Sequence, residues 1–318
     1  MNQQQIITKL KSCKISTLND IAILCGSPIL GPTKSKRIEG IISQYNLFQN
    51  QFLNNVGPTK KQSILSIDIG IKNFSYCKSY TSSNFNWPIE INKWDKLNLN
   101  EKYGINYVPV LNPSTIIDQK RYLNFITNSL IDDLKPNLSK IKIIEIQRTR
   151  SNNNSKTLPI IMQNSIFENL LLLKIYPEFC FLVTSFKMIH FWIYRFISKT
   201  SEKNLKKNNK IIRKEFIFSV FNKLFKIPGY TESKLDSKKL LEHLKLQKNE
   251  KIDDLIDSLL YNLLINCQLN NLYEFNNIIN NNNENDNGDL IEFIELRNKF
   301  HIDLIKPLIE KYELELKI

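Results

Sequence analysis

The stretch Ser63-Ile64-Leu65-Ser66-Ile67-Asp68-Ile69-Gly70 decides how the chain is read. It is Ile-rich, too short for a stable helix and closed by a glycine, which is the pattern of a buried β-strand. Working outward, Asn73 to Tyr80 alternates as its hairpin partner, and Ile89 to Trp94 reads as a third strand. A helix over about Ser114 to Leu134, a strand at Ile141 to Ile146, a helix near Thr157 to Ile175 and a strand at Phe179 to Val183 follow. Three strands in series and then alternating helix and strand predict an α/β fold, a mixed five-stranded sheet flanked by helices. Beyond Ser185 the chain turns helical and basic, and a last helix, about Leu290 to Tyr312, returns to the body.

Asp68 ends the first strand among β-branched apolar neighbours, where an unpaired carboxylate is costly and a bound cation would relieve the cost. Gly70 adds room for a backbone or phosphate to come close. The plainer alternative is an Asp capping a turn. Glu145 repeats the arrangement at the end of Ile141-Lys142-Ile143-Ile144-Glu145. After it come Gln147, Arg148, Thr149 and Arg150, polar and cationic groups suited to a DNA phosphate, with a solvated loop as the alternative.

The third acidic element is an amphipathic helix over Lys251 to Leu264. Its apolar arc holds Ile252, Leu255, Ile256, Leu259, Leu260 and Leu263, with Asp253 and Asp257 at the edge and Asp254 farther round. Either Asp253 or Asp254 pairs with Asp257 toward a metal, and the wheel favours Asp253. Both early acids also suit the helix dipole with no further role. Carboxylates on two strand ends and one late helix are the hard oxygen ligands of a two-metal phosphodiesterase, whose ions stand about 4 Å apart. Such a site needs no histidine base, which fits a chain with three histidines.

Composition narrows the partners. The net charge is +13, and Lys187 to Lys251 alone holds seventeen Lys or Arg against six acids. Nucleic acid is the polyanion such a surface most commonly meets. For the aromatics interleaved there (Phe191, Trp192, Tyr194, Phe196, Phe216, Phe218, Phe221) a place in a helical core is the reading preferred over a nucleic-acid surface. Five scattered cysteines without a CxxC pair indicate a reducing compartment. No apolar run approaches the roughly 20 residues that cross a bilayer, so no membrane insertion is expected. The first nineteen residues carry Lys9, Lys11 and Lys14 without acids, as organellar presequences do, though they lack the usual Arg.

Ahead of the strands, short helices are expected at Gln3 to Ser12, Thr17 to Cys25 and Lys34 to Phe48, with Ser16 as cap of the second and Gly26 as its stop. Leu18, Ile21 and Leu24 on one stripe, followed by Gly31-Pro32-Thr33-Lys34-Ser35-Lys36-Arg37-Ile38, look like a SAP-type DNA-binding motif. In such motifs Thr33, Lys34, Lys36 and Arg37 would face phosphates. The alternative is a helical hairpin that only packs on the core. The expected organisation is a SAP-like unit at 1–50, a linker at 51–61 and a catalytic domain at 62–318. An Asn-rich insertion, solvated and unable to pack, is expected at 276–288.

The first-strand Asp-x-Gly, the Glu followed by Gln-Arg-x-Arg-Ser and the late Asp-Asp-Leu-x-Asp-Ser-Leu helix together resemble the fungal mitochondrial cruciform-cutting resolvases, distant relatives of bacterial RuvC. The resemblance implies a ribonuclease H-like fold and a homodimer that makes paired nicks in four-way (Holliday) junction DNA in the mitochondrial matrix. It also implies Mg²⁺, with Mn²⁺ as substitute, held by Asp68, Glu145, Asp257 and either Asp253 or Asp254. Two rival readings are a ribonuclease H-like nuclease acting on RNA–DNA hybrids or other branched nucleic acid, and a non-catalytic DNA-binding protein of the nucleoid.

Overall fold

The computed structural model describes residues 3–53, 61–147, 158–248, 250–280 and 288–317. Its elements in order are α1 (Gln3–Ser12), α2 (Ile15–Cys25), α3 (Lys34–Phe48), β1 (Gln62–Asp68), β2 (Phe74–Thr81), β3 (Ile89–Leu97), α4 (Leu99–Lys102), α5 (Ile116–Leu134) and β4 (Ile141–Glu145). There follow α6 (Leu158–Ile175), β5 (Phe181–Val183), α7 (Ser185–Trp192), α8 (Glu202–Ser219), β6 (Phe225–Lys226), α9 (Ser237–His243), α10 (Asp253–Asn280) and α11 (Gly288–Tyr312).

The sheet order is β5-β4-β1-β2-β3-β6, with β2 antiparallel to both β1 and β3, and with β4 and β5 running parallel to β1. This is the expected mixed α/β plan, with one correction: the sheet has six strands, because two residues, Phe225 and Lys226, add a short parallel edge beside β3. So short a strand leaves no periodic signal.

Alternation along β1 sorts its side chains between two cores. Ile64 joins the helices α1–α3, α7, α8, α10 and α11, while Leu65 and Ile67 face α5 and α6. The amphipathic stripe of α5 (Leu123, Ile126, Leu130, Leu134) seals that second face. The aromatics between Phe191 and Phe221 lie in the first core, as preferred above.

Helix α10 is buried nearly all round rather than on one face. Its polar residues are used internally: Asn262 Nδ2 donates to Ser66 Oγ and Cys77 O, Asn266 to Phe85 O, Asn270 to Asn84 O and Asn271 to Leu24 O. A 28-residue helix thus runs through the centre of the molecule.

Three local expectations are corrected. α2 starts at Ile15 after Lys14, so Ser16 lies inside the helix and caps nothing. Residues 51–53 of the expected linker belong to a π-turn (Gln49–Leu53), whose Phe52 packs on Phe48, Phe85 and Phe181. The Asn-rich segment begins as helix: 276–280 complete α10, with Ile279 buried and Asn276 Oδ1 accepting from Tyr45, while 281–287 lie outside the described residues. Gly26 does stop α2, at φ +71°.

Candidate active site

The strand register brings the first two acids together. β1 and β4 run parallel with Ile67 opposite Ile144, so Asp68 and Glu145 end neighbouring strands at the same edge of the sheet. Period 2 then sets their direction. Asp68 follows Ile64 and Ser66, and Glu145 follows Ile141 and Ile143, all on the face covered by α10.

Side chains of the sheet fix the start of α10 over this edge. Ser75 Oγ, opposite Asp68 in the hairpin, donates to Asp254 O at 2.6 Å. Trp94 Nε1 donates to Leu255 O at 2.9 Å, and Ser66 Oγ to Ser258 O at 2.7 Å. Three anchors on the first turns hold the α10 acids against the strand ends.

The result is a cluster of like charges in a dry place. Asp68 is 8% exposed, and its carboxyl is held well above the ordinary carboxylate range by burial first and then by Glu145, with which it also shares a hydrogen bond; Asp257 and Asp254 add to the effect. Burial pushes Asp257 up to about 7, against the opposing pull of Arg213. Glu145 and Asp254 contribute to both upward shifts, so full charge on Asp68 and Asp257 is disfavoured while no cation is bound.

Asp253 is not part of that group. It turns away to Lys210 and Lys214 on α8, at 3.2 and 3.6 Å. The pair facing Asp68 is therefore Asp254 with Asp257, three residues apart, and the preference of the wheel for Asp253 is corrected. The wheel assumed one buried face, but α8 and the sheet cover opposite sides of this turn.

The structure adds residues that the sequence did not mark. Arg213 on α8 holds both oxygens of Asp257. Lys96 on β3 is buried against Asp254 at 3.3 Å. Glu168 on α6 accepts from the Gln147 backbone N–H at 2.8 Å, and burial, then the neighbouring Glu145, raises its carboxyl. Tyr261, one turn beyond Asp257, is fully buried, with Glu145, Asp68 and Asp257 near its hydroxyl. A lone Arg in a basic helix, or a Glu and a Tyr in apolar ones, carries no periodic flag. For Glu168 an acid inside an apolar run was the one available signal.

Gln147 lies at the site, its Nε2 donating to Glu145 at 2.9 Å. Arg148 and Arg150 lie outside the described residues. The N-terminal candidates stand on a different surface. Thr33 Oγ1 caps α3 by accepting from Lys36 N, Lys34 Nζ donates to Lys11 O, Lys36 pairs with Glu39, and Arg37 is half-buried. Leu18, Ile21 and Leu24 form the expected stripe and are buried in the same core as α10 and α11.

Among the described residues, no three His, Cys, Asp or Glu side chains already converge on one cation position, since Asp257 and Asp254 are turned to Arg213 and Lys96. The donor set nevertheless fits hard divalent ions. It consists of oxygens alone, and the Asp68 carboxyl, raised by burial and by the acids beside it, stands where a bound cation would offset the charge.

Against known proteins, 96 residues are 36% identical to the mitochondrial cruciform cutting endonuclease 1 of Schizosaccharomyces pombe, covering 30% of this chain and 33% of that protein. The matched stretch spans about a third of the curated relative. The crystal structure of the yeast mitochondrial Holliday junction resolvase Ydc2 overlays with a TM-score of 0.48 at 19% identity, over 84% of this chain and 98% of that one. Thermus thermophilus RuvC gives 0.34 at 10%, over 64% and 92%. The family model described as mitochondrial resolvase Ydc2 / RNA splicing MRS1 matches residues 64–275, from β1 through nearly all of α10. With more than half of the chain matched, including every acid of the cluster, this protein belongs to the mitochondrial resolvase Ydc2 / RNA splicing MRS1 family.

Proposed function

We propose that this protein is an endonuclease that resolves four-way DNA junctions by metal-dependent phosphodiester hydrolysis, acting as a homodimer in the mitochondrial matrix. One observation carries the reading: Asp68, Glu145, Asp254 and Asp257, from three distant stretches of sequence, gather at one edge of the sheet, where burial and the neighbouring acids hold the Asp68 carboxyl well above its ordinary range. The membership of the chain in a resolvase family and the names of its relatives support the substrate and the compartment.

Divalent ions bound by these acids, Mg²⁺ or Mn²⁺, would supply an activated water and a counter-charge for the leaving oxygen. The chain supplies the rest. Asp68, Glu145, Asp254 and Asp257 hold the ions, and the three anchors from Ser66, Ser75 and Trp94 keep the α10 acids in register with the strand ends. Gln147 orients Glu145. Exposed Lys206, Lys207 and Lys210 lie on α8, the helix that carries Arg213, and offer cations to a polyanion. The N-terminal helices, with Thr33, Lys34, Lys36 and Arg37, are a second contact for DNA, and Arg148 and Arg150 a third.

The family description also carries an RNA-splicing branch. A chain that worked through RNA binding alone would have no use for buried acids that repel one another, and their presence favours the nuclease. The test is nicking of a synthetic four-way junction, a linear duplex and an RNA–DNA hybrid by the purified protein, with Mg²⁺, with Mn²⁺ and with a chelator. Paired nicks in the junction that need metal and vanish in Asp68→Asn are expected. Preferred cutting of the hybrid, or equal nicking by the variant, would overturn the proposal.

A further inference from the structure

The contact between Arg213 and Asp257 is built unlike a permanent ion pair. A structural Arg–carboxylate pair sets two guanidinium nitrogens against two oxygens. Here Nη1 alone spans both oxygens of Asp257, and Nε is buried with no acceptor. Arg213 is 8% exposed, so an unused donor there is paid for in desolvation. The neighbours of Arg213 on α8 do not share the task, because Lys210 and Lys214 are engaged by Asp253. Asp257 is thus the one carboxylate of the cluster held by a cation from α8 among the described residues.

We propose that Arg213 is an exchangeable positioning residue: it holds Asp257 in the metal-free, DNA-free protein, yields Asp257 to a divalent cation, and then takes a phosphate of the DNA backbone. The inference rests on the nuclease reading above. A cation on Asp257 places like charge beside the guanidinium, whose favourable alternative is an anion at the same spot. The backbone of a bound nucleic acid supplies one, and the fork geometry of arginine suits it. Arg213 then couples the two binding events. It opposes cation binding while DNA is absent and makes each ligand favour the other when both are present.

The experiment uses the full chain and Ca²⁺, a divalent probe of the same oxygen chemistry, read by calorimetry without DNA. Junction affinity is then read by fluorescence anisotropy in Ca²⁺ and in chelator. For the parent, Ca²⁺ should strengthen junction binding. In Arg213→Gln, Ca²⁺ should bind about tenfold more tightly without DNA, and its strengthening of junction binding should shrink to about twofold or less. Unchanged or weaker Ca²⁺ binding by Arg213→Gln overturns the role given to Arg213. Should that variant fail to fold by circular dichroism, Arg213→Lys takes its place. It keeps the charge without the fork, and its Ca²⁺ affinity should rise a few-fold, no rise again overturning the role. A parent protein that takes up no Ca²⁺ overturns the metal-dependent nuclease itself, a different failure from that of Arg213.

Discussion

Asp254 faces Asp68 across the edge of the sheet while Lys96, 3.3 Å away on β3, balances its charge. Asp253, one residue earlier, lies about 100° round the helix and belongs to Lys210 and Lys214. Two adjacent aspartates with the same chemistry thereby meet different partners, one residue step apart on α10.

The first prediction follows directly. Asp254→Asn should lower junction nicking at saturating Mg²⁺ by at least about a hundredfold, as loss of an ion-holding group does. Asp253→Asn should stay within about threefold of the parent, because it removes only partly exposed ion pairs. Gel-resolved nicking rates decide, and a larger loss in Asp253→Asn would reverse the assignment.

How much of this was legible in the sequence depends on the physics behind each residue. Asp68 and Glu145 were readable, because a carboxylate at the end of an Ile-rich strand contradicts its surroundings. The choice between Asp253 and Asp254 was not, since a helical wheel presumes one wet face and α10 has none over most of its length. Asn262, Asn266 and Asn270 are polar residues of that helix, yet each satisfies a partner in the interior. Arg213 and Lys96 become visible only once tertiary contacts show which of many similar residues meets the acids.

The metal-free protein should show opposed pH trends. Asp68 and Asp257 are raised above their unfolded values, so the stability they contribute is complete below about pH 4 and is lost as pH climbs toward 7. His301 has the opposite sign. Burial, then Arg195 and Arg297, holds it well below its usual range, so its contribution is complete above about pH 6.5 and falls as pH drops. Cys267 Sγ, 3.4 Å from its ring, is the remaining ionisable contact. Added Mg²⁺ should raise the unfolding midpoint more at pH 8 than at pH 5, where protons compete for the same oxygens. Thermal scans at both values, with Mg²⁺ and with chelator, would show it, and an equal shift at both would contradict the coupling.

Gly40 sets a helix preference against packing. Alanine in α3 should gain about 1 kcal/mol from propensity. A Cβ there, however, would stand 2.2 Å from the Pro28 carbonyl oxygen, which is backbone and slow to yield. Overpacking of that kind costs about 1–3 kcal/mol. Gly40→Ala should therefore lower the unfolding midpoint by about 1–2 °C, while a variant as stable as the parent would mean that the loop before α3 moves aside freely.

The last prediction concerns what holds α10 in place. Ser79 Oγ on β2 donates to Asn262 Oδ1 at 2.8 Å, and the Asn262 amide donates in turn to Ser66 Oγ and Cys77 O at 3.2 and 3.3 Å. All of these groups are buried, so a partner removed leaves its mate unsatisfied at a cost of about 1–3 kcal/mol. Asn262→Ala should lose about 2–3 kcal/mol and Ser79→Ala about 1 kcal/mol. The double variant should lose less than their sum by roughly 1 kcal/mol, because the second deletion no longer orphans a donor. Denaturant titration of the four proteins measures that difference. Strictly additive losses would mean that the Ser79–Asn262 hydrogen bond contributes nothing, and that Asn262 ties α10 to the sheet through Ser66 and Cys77 alone.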